Sequence, residues 1–186
     1  MKKKSFSQFV EQKLSEGFEN VNTCLICEII SIDMNYLRAD VLPLHDSEAT
    51  PILDVPIAFH QTENFLIQVP YKKGDKVLVV CSQTDIDPMM YEGGESASRS
   101  FSADDALIVG GLNYFTKPIQ NEHPNDVVIS TKDMQTKIVI TEDNEIIMKS
   151  TKFTVESETI ELKGGTVALT GSSITANAED LTTDLV

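Results

Sequence analysis

The sequence predicts an all-β protein: a short N-terminal helix, a small barrel, and a C-terminal β-helix intertwined from three identical chains. Three observations lead to this class. The last third of the 186 residues repeats every seven residues with strand spacing. Residues 22–115 alternate short apolar runs with turn residues. Helical periodicity is confined to the first twenty residues. The expected organisation is a helix at 1–20, a barrel at 21–115, a linker with a first strand at 116–136, and a trimeric β-helix at 137–186.

The helix is predicted over 5–19. Phe6, Phe9, Val10 and Leu14 fall on one helical face, and Ser5 is a suitable N-cap. Such a face suits docking either on its own domain or on a neighbouring protein.

The barrel is predicted from strand candidates at Thr23–Asp33, Tyr36–Leu44, Leu53–Phe59, Phe65–Val69, Lys76–Cys81 and Ala106–Gly110. Asp33-Met34-Asn35 and Lys72-Lys73-Gly74-Asp75 supply hairpin turns. Five or six strands in so short a stretch suit a small barrel such as an OB-fold. Asp85–Phe101 reads as a polar loop, and Pro118, His123 and Pro124 mark a linker. Val127–Ser130 and Lys137–Thr141 begin the repeat region.

In the repeat, Val139, Ile146, Phe153, Ile160, Val167, Ile174 and Leu181 recur at seven-residue intervals. Met148, Val155, Leu162, Leu169 and Ala176 follow their module's first apolar residue by two, and Thr141 and Thr183 hold the same place at the ends. A coiled coil would need apolar residues three or four apart. The residues three further on are Lys149, Glu156, Lys163, Thr170 and Asn177, so that seam would be polar. A spacing of two instead puts the pair on one face of a strand. A single-chain β-helix, at about three modules per coil, would complete little more than two coils, fewer than a stable stack needs. Three chains sharing one axis remove that shortage. The predicted axial core is therefore Val139, Ile146, Met148, Phe153, Val155, Ile160, Leu162, Val167, Leu169, Ile174, Ala176 and Leu181.

Composition excludes some functions. The formal charge is −14, against nucleic-acid binding, whose affinity comes mainly from Lys and Arg. Met1-Lys2-Lys3-Lys4 is basic, but an amphipathic segment follows it, so no signal peptide is expected. No apolar run approaches a membrane span. Three cysteines without a secretory signal predict free thiols in a reducing cytoplasm.

No catalytic motif emerges. Cys24 and Cys27 form a CxxC, but a zinc site needs about four ligands and only Cys81 remains. Residues three apart on a strand also point to opposite faces. His45-Asp46, His60 and His123 are scattered. Asp85, Asp87, Asp104 and Asp105 form the densest acidic cluster, suited to acid–base or cation chemistry, but equally to turns and caps. The expectation is no enzyme, no cofactor and no metal.

One family resemblance stands beside this reading. Lys73-Gly74-Asp75-Lys76-Val77-Leu78-Val79-Val80-Cys81 with Asp85-Ile86-Asp87 resembles the "pGDxVLlvfserdid" segment of the N-terminal OB domains of contractile phage tail central spike proteins. Val55-Pro56-Ile57-Ala58-Phe59 precedes it in the family's order. Phe101–Leu112 follows it and resembles "hsLsDAfaipGl". The resemblance covers residues 20–115. It implies an OB domain followed by a trimeric β-helical spike in the virion, at the tail tube tip in the baseplate of a phage, tailocin or related injection machine. That spike closes the tube and leads it through the target envelope. Implied partners are two further copies, the baseplate hub, the tail tube and the host cell envelope, with assembly in the host cytoplasm. Many members end in an apex with an iron-binding HxH, which this chain lacks. Either a separate tip protein caps the prism, or the target is a wall without an outer membrane. The other functional expectation is an OB barrel gripping wall polysaccharide on a trimerising stalk. The absence of Trp and the 6% aromatic content weigh against it.

Overall fold

The computed structural model describes residues 6–19, 21–45, 48–171 and 173. It is mostly β, and the chain divides into two compact units, Met1–Pro118 and Ile119–Val186.

In the first unit, α1 spans Phe6–Glu19, one residue from the expected start. Its apolar stripe, Phe6, Phe9, Val10 and Leu14, is exposed. Five strands then form one sheet: β1 (Cys24–Asp33), β2 (Arg38–Pro43), β3 (Ile52–Pro56), β6 (Lys76–Cys81) and β7 (Ala106–Gly111), in the order β3-β2-β1-β6-β7. Between β3 and β6 lies a two-residue-a-side hairpin, β4 (His60–Gln61) and β5 (Leu66–Ile67). Neighbours in the large sheet are antiparallel. The sheet curls until Ile57, just past β3, meets Ile108 of β7 in a parallel bridge. The Ala58 amide donates to the Ile108 carbonyl at 2.8 Å beside it. The strand order and partial closure agree with the expected OB-fold.

Alternation puts one residue in two into the barrel interior. Val77, Val79 and Cys81 of β6 are buried, as are Ala39 and Val41 of β2, Cys27 and Ile29 of β1, and Ile108 of β7. These form one cluster with Ile52, Val55, Ile57 and Ala106. Two predicted turns are present. The Asp33 carboxylate accepts the Asn35 and Tyr36 amides at 2.9 and 3.3 Å. The Asp75 carboxylate accepts the Lys72 amide at 2.8 Å, and Gly74, at φ +93°, takes a conformation that a side chain would strain. Its amide donates to the Ile29 carbonyl beside a bulge in β1, joining turn and sheet.

Three strands are clearly shorter than expected. β2 runs only from Arg38 to Pro43, where Tyr36–Leu44 was expected. β3 ends at Pro56; the Ile57 amide still donates to Leu37, the residue before β2, and the Ala58 amide then turns to Ile108 of β7. The 65–69 segment pairs only through Leu66 and Ile67, outside the large sheet.

In the second unit, β8 (Val127–Ser130), β9 (Lys137–Ile140) and β10 (Ile146–Lys149) form an antiparallel meander, β10-β9-β8. Asn144, at φ +64°, makes the second turn, between Thr141 and Glu145. A meander within one chain was not foreseen for the start of the repeat.

From residue 150 onward the described chain has no strand pairing. Its local geometry nevertheless repeats. The Ser150 hydroxyl donates to the Lys152 carbonyl at 3.0 Å, and Ser157, seven residues on, to the Thr159 carbonyl at 2.8 Å. Gly164 and Gly171 occupy the next two equivalent places. A Cβ on either would lie 3.5 Å from the carbonyl two residues ahead, Thr166 or Ser173. The chain bends at Thr151, Glu158, Gly164–Gly165 and Gly171, at intervals of six to seven residues. The seven-residue period of the sequence is therefore also a period of the backbone.

Candidate functional site

Most of the predicted axial residues lie at the surface of the chain. Ile146, Met148, Phe153, Val155, Ile160, Leu162, Val167 and Leu169 are all exposed, by 51–69%. Ile174, Ala176 and Leu181 lie outside the described residues.

Val139 stands apart. It is fully buried within its own chain. It pairs with Val128 on one side and Ile147 on the other, and directly paired residues share a face. Ile146 and Met148 pair instead with Ile140 and Ile138. Val139 therefore faces away from the two axial residues that follow it. Beside it on the same face, Lys137 is buried along its stem and ion-paired to Glu122 at 2.8 Å.

The acidic cluster is tied together by a cation that sequence reasoning missed. Arg99 Nη2 lies 2.7 Å from both Asp85 and Asp87, and Nε lies 2.8 Å from the fully buried Asp105. Asp105 also accepts the Ile86 amide at 3.0 Å. Asp85 accepts the amides of Ala97 and Asp87, which with Arg99 hold its pKa below the ordinary carboxylate value. Hydrogen bonds to Asp105 and Asp87 raise Arg99 further above its ordinary range. The arrangement suits a clamp on the loop between β6 and β7, since each carboxylate already has a donor. Asp104 lies outside it, its amide bonded to the Ser102 hydroxyl. The signal was present in the sequence: Arg99 is the only basic residue between Lys76 and Lys117.

The remaining candidates do not converge. Cys24 is exposed while Cys27 and Cys81 are buried, so the CxxC thiols diverge across β1 as strand geometry requires. Burial, with Cys81 and Cys24 nearby, pushes the Cys27 thiol up to about 11. His60 sits at the start of β4. His123 pairs with Asp126 at 3.0 Å. His45 is exposed, and Asp46 lies outside the described residues. Among the described residues no three His, Cys, Asp or Glu are grouped to hold a metal, and no helix is long and apolar enough to cross a membrane.

No curated protein matches the chain. Residues 20–111, which contain β1 through β7, match the family model described as phage protein Gp138 N-terminal domain. A domain from a phage protein family supports a structural component of a virion. The barrel of this chain belongs to the phage protein Gp138 N-terminal domain family.

Proposed function

We propose that the chain is the homotrimeric central spike at the tail tube tip, in the baseplate of a contractile phage, tailocin or related injection machine. The observation that carries this reading is the series of eight exposed axial residues, six of which, from Phe153 on, lie in a backbone that itself repeats every seven residues. One chain leaves the stripe in water; three chains around one axis bury it. Each buried side chain then contributes roughly 1.5–3 kcal/mol. The family of the barrel supports a phage virion setting.

In this role the barrel seats the spike on hub and tube proteins, and the repeat leads through the envelope. The work is mechanical, with no reaction, resident metal or nucleic-acid contact. Light scattering on the purified protein should give the mass of three chains of 20.6 kDa. A well-folded monomer at micromolar concentration would overturn the proposal. Gold-labelled antibody on parent particles should decorate the tail tip, and label confined to the head or sheath would remove the spike role.

A further inference from the structure

The β8–β9–β10 meander has two unlike faces. On one, Val127, Ile140 and Ile146 stand side by side across the three strands. Beside them Ile129, Ile138 and Met148 form a second row. All six are apolar, and all are exposed, by 40–66%. The other face holds Val128, Val139 and Ile147 beside Ser130, Lys137 and Lys149. It is partly buried within the chain, with Val139 fully enclosed.

We infer that the six-residue face is a collar, covered by the same face of two further copies of this chain. The inference rests on the trimer proposed above and adds a contact that the seven-residue repeat does not contain. Four of the six residues, Val127, Ile129, Ile138 and Ile140, lie outside the repeat's axial positions. Ile146 and Met148 belong to both, so the face shares two residues with the proposed axial stripe. A cover for the stripe is therefore placed to cover the face too. The six residues of the face are all uncharged, so copies meeting there bring no like charges into direct contact. The occupant is thus a second and third copy. A segment of the same chain or a foreign protein is the alternative that the test must exclude.

The test uses the full-length protein with Cys24→Ser, which removes the exposed native thiol. Ile138→Cys reports the centre of the face, and Glu142→Cys, at an exposed position past β9, is the open control. Mass is measured first, then maleimide labelling, read by peptide mass spectrometry. A trimer in which Ile138→Cys labels about tenfold or more slowly than Glu142→Cys supports the collar. A trimer in which both label alike overturns the collar and leaves the trimer standing. A monomer overturns both. Protection of Ile138→Cys in a monomer would assign the cover to the chain itself, against the inference. If Ile138→Cys does not fold, Val127→Cys at the edge of the same face takes its place.

Discussion

Arg99 shows how one side chain can organise a loop that the sequence presents as a run of acids. Removing it leaves Asp105 buried without its cation, and a buried charge without a partner is destabilising. Arg99→Ala should lower the melting temperature and open residues 85–101 to protease, while Arg99→Lys should rescue only in part, because an ammonium cannot present the planar fork. The pH dependence has a defined sign. Asp85 is depressed in the fold, so its contribution is present above its ordinary value of 3.8 and lost as pH falls through the lower folded value. The stability difference between wild type and Asp85→Asn should be full at neutral pH and close in acid, as read by thermal melts across pH. The cysteines give a second check. Native protein should take up a thiol reagent at Cys24 alone, with Cys27 and Cys81 reacting only on unfolding. The carboxylate cluster was legible from spacing. Its partner was not, because a cation twelve residues from Asp87 meets it only after the loop folds back.

Elements were legible where alternation and burial agree. β6 falls at its expected boundaries because Lys76–Cys81 is bounded by a Gly-Asp turn and presents one face to the core. β5 came out short because Phe65-Leu66-Ile67 is an apolar run without alternation, a pattern that does not say whether a partner strand is at hand. The phase of the repeat misled at one point. A count of seven from Val139 lands on Ile146, but across an antiparallel hairpin the face is set by pairing. Ile146 opposes Ile140, and Val139 opposes Ile147. The count holds only after the meander, where no hairpin interrupts it. Within the barrel, Ile108 is fully buried and stands at the closing bridge. Ile108→Ala should cost about 2–5 kcal/mol in denaturant unfolding of the barrel. A loss much smaller than this would mean that the closure is not a structural keystone.

For the whole molecule, the proposed trimer makes one contrast decisive. Ile160 is on the stripe, and Glu161 is its outward neighbour, ion-paired to Lys163 at the surface. In three chains around one axis, Ile160→Asp would bring three carboxylates together in an apolar channel, where unpaired charge is very costly. Trimer stability should fall sharply while the barrel stays folded, as circular dichroism with light scattering would show. Glu161→Lys should be tolerated, since an exposed ion pair contributes little. Equal effects from the two substitutions would remove the face assignment. In the sequence the proposed trimer rests on a shortage: the modules are too few to complete a core alone. That Ile138 and Ile140 share a face with Ile146 and Met148 was not readable, because strand pairing alone brings them together.

The unpaired stripe also has a kinetic meaning. In the proposed trimer a newly made chain can close its barrel alone, but its shaft waits for two siblings. Barrel formation should then be first order, and shaft formation should quicken with protein concentration. Until the siblings arrive, β-prone segments lie open in water, the condition that favours aggregation. The net charge of −14 on each chain would slow wrong encounters as well as right ones. Refolding followed at several dilutions should separate two phases, one indifferent to concentration and one not. Added salt should speed the second, by screening the repulsion between chains.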